Sequence, residues 1–210
     1  MTTLYSYKTL KTQSQAEFVE KKSRFIGYAC PVTTEQQAVD FINQINKKHY
    51  DATHNVYAYV LKDNNIRRYS DDGEPTGTAG VPVLDVILKE GLTNVCVVAT
   101  RYFGGIMLGA GGLVRAYTKS AKVGIDACGI LERKFCFECE IQSDYTMLGK
   151  IQSEIIACGC IAGETQYTDN VKLTCYIPYD VNRFKERMID ITNGKILINI
   201  KNEGRFIDVN

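Results

Sequence analysis

A continuous apolar run at residues 94–100 (NVCVVAT) places the strongest constraint on the fold of this chain. A strand with one face in water alternates between apolar and polar residues, and this run does not. It is instead typical of a strand that is covered on both faces. We therefore predict a β-strand near the centre of a sheet.

The size of the chain indicates more than one core. Its 210 residues and hydrophobic content of 45% are sufficient for two domains. We predict a first domain at residues 1–131 and a second at residues 132–210. The 25 basic and 24 acidic side chains give a net charge of +1, which provides no long-range attraction to nucleic acid or to an acidic membrane. Any such binding has to use a local patch.

Hydrophobic periodicity predicts an α/β layer in the first domain. Residues 16–32 are typical of a strand that ends at Pro31, and Thr34 and Gln37 are spaced as a capping box that opens a helix. The remaining predicted elements are a strand at 53–61, a loop or hairpin at 63–80, a helix from about Pro82 to before Gly91, and a helix from about Gly111 to Ala127.

The second domain has a different order of elements. A strand at 134–141 precedes a helix that Asp144 opens and Gly159 ends, and strands at 160–167 and 171–177 follow. A second helix is capped by Asp180 and precedes the strand at 195–200. This β-α-β-β-α-β order predicts a ferredoxin-like split β-α-β domain, and the fold class of the whole chain is predicted to be α+β.

The glycine-rich segment FGGIMLGAGG at residues 103–112 is the most suggestive local feature, because glycines let backbone amides approach an anion at a helix N-terminus. It fits neither the P-loop nor the Rossmann fingerprint. One interpretation is a loop that binds phosphate or the RNA backbone, and the other is a set of tight turns and close helix-sheet contacts. The candidate anion-binding residues are Arg101, Gly104, Gly105, Gly109, Gly111, Gly112 and, on the basic face of the next helix, Arg115, Lys119 and Lys122.

An acidic turn at residues 70–75 provides the second candidate site. Asp71, Asp72 and Glu74 have the chemistry to bind Mg²⁺ or to act as a general base, and His54 joins them if the fold brings it to this turn. The alternative is a structured turn that pairs with Arg67, Arg68 or Arg101. These four acidic and histidine residues are the catalytic candidates if the protein is an enzyme.

The eight cysteines are interpreted as buried, reduced thiols. Cys136 and Cys139 with Cys158 and Cys160 offer four thiolates for a zinc ion. Positions 136 and 139 point to opposite faces of a strand, however, and this favours core thiols over a metal site. We expect no resident metal or other cofactor.

The first residues and the hydropathy of the chain predict a cytoplasmic protein. The first residues lack the charged start and apolar core of a signal peptide, and the longest strongly apolar run, residues 95–99, is too short to span a membrane.

Long motifs in the first domain closely resemble the signature of the Impact/YigZ-type family. They are KKSRFIGY at 21–28, THNVYAY at 53–59, YSDDGEPTGTAGVPVL at 69–84 and VVATRYFGGIMLGAGGLVRAY at 97–117. The resemblance implies a first domain like the second domain of ribosomal protein S5 and a ferredoxin-like second domain, an architecture similar to the last two domains of elongation factor G.

The resemblance also implies a role in translation. Eukaryotic members of the family are linked to translational control through a nutrient-sensing kinase pathway and a large ribosome-associated activator. We expect this chain to begin directly with the shared domain, without the extra N-terminal domain of those proteins. The resemblance therefore implies contact with the ribosome or RNA, and a protein partner in translational control is a further expectation.

Two function hypotheses follow. The first is a regulatory binding protein whose glycine-rich segment and basic helix face contact the phosphates of ribosomal or transfer RNA. The alternative is a Mg²⁺-dependent enzyme that acts on a phosphorylated small molecule or nucleotide, with the cation on the acidic turn and the phosphate on the glycine-rich segment. Neither hypothesis involves a membrane or DNA.

Overall fold

The computed structural model describes residues 6–209, which form two compact units. Residues Lys8–Leu131 form the first unit, and residues 132–209 form the second together with residues 6 and 7. The division after Leu131 falls where the sequence changes pattern. The prediction placed residues 6 and 7 in the first domain, whereas in the structure they lie on a strand of the second unit's sheet.

The elements of the chain, in order, have the following bounds. The first nine are β1 (Ser6–Leu10), β2 (Ser14–Glu20), β3 (Ser23–Pro31), α1 (Glu35–Lys48), β4 (His54–Leu61), β5 (Ile66–Ser70), α2 (Gly80–Lys89), β6 (Val95–Tyr102) and α3 (Ala110–Cys128). The others are β7 (Ile130–Ser143), α4 (Leu148–Ala157), β8 (Ile161–Tyr167), β9 (Val171–Ile177), α5 (Val181–Thr192) and β10 (Leu197–Val209). This mixture of helices and antiparallel sheets confirms the α+β class.

The sheet of the first unit has the strand order β2-β3-β6-β4-β5, and all its pairs are antiparallel. Helices α2 and α3 cover one face and α1 covers the other. Strand β6 lies at the centre, and its residues Val95 to Ala99 have no exposed surface. The prediction from the apolar run is confirmed, because each face of β6 contributes to a separate hydrophobic core.

The predicted single strand at 16–32 is wrong, since this segment forms the hairpin of β2 and β3. The chain reverses at Lys21 and Lys22, whose φ angles are 44° and 64°. Lysine is uncommon in this left-handed region, and no glycine, proline or asparagine marks the turn. The sequence therefore carries no conventional turn signal here.

The predicted start of α1 is confirmed, with one difference in its cap. The backbone N–H of Gln37 donates to Oγ1 of Thr34 at 3.2 Å, as an N-cap requires. The side-chain Oε1 of Gln37 accepts from the backbone N–H of Thr33 at 2.7 Å, one residue earlier than in a capping box.

In the second unit the predicted β-α-β-β-α-β order is confirmed. Strand β10 pairs with β7, β7 with β9, and β9 with β8, all antiparallel, while β1 is also adjacent to β7. Helices α4 and α5 contribute Ile151, Ile155, Phe184 and Met188 to one core on this sheet. Asp180 caps α5 as predicted, because its Oδ1 accepts from the N–H of Arg183 at 3.1 Å.

None of the helices within residues 6–209 is both long enough and apolar enough to cross a membrane.

Helix α3 lies directly on the backbone of β3. A Cβ added at Gly27 would lie 1.9 Å from the carbonyl oxygen of Ser120, and one added at Gly124 would lie 2.9 Å from the backbone of Gly27. Only glycine fits at either position, since two backbones meet there. This contact sets how deeply α3 packs on the sheet.

We therefore expect Gly27→Ala to destabilise β3 and α3 by about 1–3 kcal/mol or more, because the backbones have to move apart. Hydrogen exchange of the amides in these two elements measures the change. Gly149→Ala is the matched control, since a Cβ at Gly149 in α4 meets nothing within 4 Å. The control should gain about 0.5–1 kcal/mol in its own helix and leave β3 unchanged. Unchanged protection in Gly27→Ala would contradict the close-contact account.

A buried histidine, His49, follows α1 and connects this helix to the face of the sheet that α1 covers. Nε2 of His49 lies 2.6 Å from the hydroxyl of Tyr28, and Nδ1 lies 2.8 Å from the hydroxyl of Tyr102, which donates to Asp51 at 3.0 Å. With that hydroxyl hydrogen on Asp51, Tyr102 accepts from Nδ1–H of His49, and Nε2 accepts from Tyr28. Both nitrogens of the neutral imidazole ring therefore have a hydrogen-bond partner.

Burial lowers the pKa of His49 below its ordinary value, and the nearby charges of Lys48 and Arg24 lower it further, against a smaller opposing effect of Asp51. The folded state therefore binds this proton less readily than the unfolded state. It follows that the contribution of His49 to stability is present above about pH 6.5 and is lost as the pH falls toward the lowered pKa.

We expect the free energy of unfolding to fall between about pH 7 and pH 5.5 in the wild type, and to fall less in His49→Gln, whose amide offers one acceptor and one donor in place of the ring. Chemical denaturation across this range measures both curves. Parallel curves would show that His49 does not cause the pH dependence.

Candidate functional site

A buried ion pair joins the acidic turn to β6 and α3, the two elements that flank the glycine-rich segment. Oε1 of Glu74 accepts from Nη1 of Arg101 at 2.5 Å and from the hydroxyl of Tyr117 at 2.7 Å. All three residues are buried, with exposed fractions of 8% for Glu74, 5% for Arg101 and 0% for Tyr117. This carboxylate therefore joins the turn to both β6 and α3.

Asp71 has a structural role in the same turn. Its Oδ1 accepts from the backbone N–H groups of Ala79 and Gly80, and its Oδ2 accepts from that of Gly77. Burial raises the pKa of Asp71, but the three backbone donors outweigh this effect and hold the pKa below its ordinary value. Asp71 thus fixes the backbone that leads into α2.

His54 lies at the acidic turn, as the catalytic hypothesis requires. Its Nδ1 is 2.6 Å from the carbonyl oxygen of Asp72, and its Nε2 is 3.7 Å from Oε1 of Glu74. Oδ2 of Asp72 accepts from the backbone N–H of Asn55 at 2.5 Å. The four candidates are therefore neighbours, and each of them also contributes to holding the turn in place.

The carboxylates of this turn are occupied by internal donors. Within residues 6–209 there is no group of three or more His, Cys, Asp or Glu side chains that is arranged to hold a metal ion. Of the arginines expected to pair with the turn, Arg101 does so. Arg67 donates instead to Oδ1 of Asn65, and Arg68 donates to the carbonyl oxygen of Arg67.

The glycines of residues 103–112 have separate local roles. A Cβ at Gly104 would lie 2.0 Å from the backbone of Lys22, so the segment packs directly on the turn between β2 and β3. Gly105 and Gly109 have φ angles of 80° and 73°, which other residues rarely adopt. A Cβ at Gly112 would lie 2.9 Å from Leu108. These features fit the interpretation of tight turns and close packing. A Cβ at Gly105 or Gly109 would meet nothing within 4 Å, and one at Gly111 would meet only Nη1 of Arg115 at 3.7 Å.

The basic candidates divide into three environments. Arg101 is buried on Glu74 and does not belong to the surface, because β6 directs its side chain into the core. Lys122 pairs with Glu90 at 3.1 Å and with Asp126 at 2.6 Å. Arg115 and Lys119 are exposed on α3 and form no ion pair in the described part of the chain.

A cleft of about 170 Å³ lies between β2 and α3. Its lining includes Lys21, Arg115 and Lys119, with Glu20 as an acidic member. Nζ of Lys119 lies 4.3 Å from the centre of the Phe18 ring, which holds the ammonium group at the cleft. This cleft is the place where the predicted basic face meets an open space.

Three apolar residues of the glycine-rich segment are exposed, and none of them is among the site residues predicted from the sequence. They are Phe103, Ile106 and Met107. One sequence feature could have indicated these residues. Large apolar side chains stand among flexible glycines here, and such a segment leaves some of them exposed.

The cysteines are free thiols in the structure. Cys139 on β7 faces Cys175 on β9, and both are buried in the core of the second unit. Burial raises the pKa of Cys160 to about 12, an effect to which its cysteine neighbours add. The Cys160 thiol therefore stays protonated at neutral pH, and the buried cysteines behave as small apolar side chains.

Removing the charge of Glu74 tests the buried ion pair. We expect Glu74→Gln to destabilise the first unit by about 3–5 kcal/mol, because Arg101 would remain charged and unpaired in the core. Tyr117→Phe removes one hydrogen bond to a charged group and should cost about 1.5–3 kcal/mol. Chemical denaturation measures both.

Glu17→Gln provides the matched control for these variants. Its carboxylate pairs with Arg24 at 2.6 Å, but both side chains are about half exposed. Solvent screens such a pair, so the control should lose less than about 1 kcal/mol. A similar loss in Glu74→Gln and Glu17→Gln would contradict the importance of burial.

Comparisons with known proteins agree with these motifs. The model of the Impact N-terminal domain matches residues 21–125, and the model called domain of unknown function (DUF1949) matches residues 141–195. The chain is 47% identical to IMPACT family member YvyE of Bacillus subtilis over 91% of this chain and 89% of that protein. It is 31% identical to IMPACT family member YigZ of Escherichia coli over 84% of this chain and 88% of that protein.

A solved structure, described as the crystal structure of a hypothetical protein, has a similar fold. It matches with a TM-score of 0.60 and 29% identity over 95% of this chain and 99% of that one. The match therefore extends through both units. With the motifs at the buried ion pair and the glycine-rich segment, these similarities show that the chain belongs to the Impact family.

Proposed function

We propose that this protein is a regulatory binding protein in translation, which contacts ribosomal or transfer RNA through the cleft between β2 and α3. The observation that supports this most is the pair of exposed cations, Arg115 and Lys119, which lines an open cleft and has no carboxylate partner among residues 6–209. Phosphate groups are the chemical complement of such an arrangement.

The electrostatics of the cleft support RNA over a neutral ligand. Lys21 adds a third positive charge to those of Arg115 and Lys119, against the single negative charge of Glu20. The chain as a whole has a net charge of only +1, so the attraction has to come from a local patch such as this one. The proposed binding is therefore short-ranged and sensitive to salt.

Membership of the Impact family supports a role in translational control in general. The resemblance of its two domains to the last two domains of elongation factor G implies a protein that works at the ribosome. A protein partner in the same process belongs to this proposal, whereas the Mg²⁺-dependent enzyme does not, because the acidic turn is held by internal hydrogen bonds.

Salt-dependent binding to ribosomes and transfer RNA tests the proposal. We expect log K to fall linearly with log salt concentration. The double variant Arg115→Gln/Lys119→Gln should reduce this slope by about 1.4–1.8, which corresponds to the loss of two phosphate contacts. Fluorescence anisotropy with labelled RNA measures the slopes.

Lys47→Gln is the control, because Lys47 is exposed on α1, which covers the opposite face of the sheet. It should leave the slope unchanged. Lys122→Gln should have a smaller effect than the changes at the cleft, since Glu90 and Asp126 already neutralise this lysine. Equal slopes in the wild type and the double variant would contradict the proposed cleft.

A further inference from the structure

The segment between β6 and α3 exposes large apolar side chains beside a basic turn. Phe103, Ile106 and Met107 have exposed fractions of 49%, 41% and 85%. The same segment packs on the turn of Lys21 and Lys22 through Gly104, whose backbone N–H donates to Oγ of Ser23 at 3.2 Å. Apolar surface and positive charge are therefore adjacent.

Phe103 is held firmly although half of it is exposed. The guanidinium carbon of Arg101 lies 5.5 Å from the centre of the Phe103 ring and 5.6 Å from that of the buried Phe25. Glu74 fixes this guanidinium, and the backbone N–H of Phe103 donates to Oγ1 of Thr53 at 3.0 Å. A ring that is already ordered loses little conformational freedom when it binds a ligand.

Arg101 also has an unusual feature that is consistent with its role in holding the Phe103 ring. Its Nε is buried and has no hydrogen-bond partner within the described residues. A buried donor without a partner is costly, and it persists where the surrounding structure gains from the position of the group. Here the position places the guanidinium against the Phe103 ring.

We infer that Phe103 is a stacking platform for an unpaired base of the bound RNA, while Lys21 and Lys22 contact the neighbouring phosphates. This inference rests on the proposed function and narrows its ligand to RNA with a single-stranded segment. The occupant has to combine negative charge with flat apolar faces, and unpaired nucleotides do so. The bases of a duplex are stacked on each other, so their faces are not available to Phe103.

The absence of tryptophan from the sequence permits a direct measurement. Phe103→Trp introduces a single indole that retains the stacking surface. A short single-stranded oligoribonucleotide should quench its fluorescence, and a blunt-ended duplex with the same number of phosphates and no unpaired nucleotides should not. Tyr50→Trp is the control, because Tyr50 is 86% exposed and follows α1 on the other face of the sheet. Its fluorescence should not change with either RNA.

Affinity measurements complete the test. Phe103→Leu should weaken single-stranded binding by about tenfold without changing the salt slope, and Phe103→Tyr should bind as the wild type does. An abasic oligonucleotide should bind the wild type no better than it binds Phe103→Leu. Hydrogen exchange of β6 and α3 establishes that the variants are folded.

The outcomes separate this inference from the proposed function. If Phe103→Leu binds single-stranded RNA as tightly as the wild type, while Arg115→Gln/Lys119→Gln binds it more weakly, stacking is overturned and the RNA-binding cleft stands. If no RNA binds the wild type, both are overturned. Quenching of Phe103→Trp by phosphatidylserine vesicles but not by RNA would overturn the inference in favour of a membrane surface.

Discussion

The ion pair of Glu74 and Arg101 is the interaction on which the first unit depends most. Burying two charges is expensive, and the structure compensates with a short contact and a further hydrogen bond from Tyr117. The pair ties the turn after β5 to the central strand and to the long helix α3. Since Arg101 also lies against Phe103, the same pair connects the core to the exposed glycine-rich segment.

Glycine acts in this unit mainly by letting backbones approach each other. Gly27 and Gly124 bring β3 and α3 into direct contact, and Gly104 does the same for the segment and the turn of Lys22. The glycine-rich segment is consequently held in place at its start, and at its end it continues into α3. Between these points Leu108 is buried in the core, whereas Phe103, Ile106 and Met107 are exposed to water.

Net charge is a poor description of the basic surface of α3, because its basic side chains differ in their carboxylate partners. Along α3, Lys122 has two carboxylate neighbours, whereas Arg115 and Lys119 line the cleft. The three residues look equivalent as a stripe at helical spacing. Their difference comes from Asp126, four residues further along α3, and from Glu90, which follows α2 and which the fold brings to the side of Lys122.

The sequence by itself determined the burial of β6, the presence of α3, the β-α-β-β-α-β order and the family, because periodicity and long motifs are local properties of the chain. Tertiary structure alone decided the reversal at Lys21 and Lys22 and the contacts of Glu74 with Arg101 and Tyr117. Glu74 lies 27 residues from Arg101 and 43 from Tyr117, so only the pairing of strands and the depth of α3 bring them together. Which cations remain available to a ligand is therefore a property of the folded chain, since a charge is neutralised by what lies beside it in space.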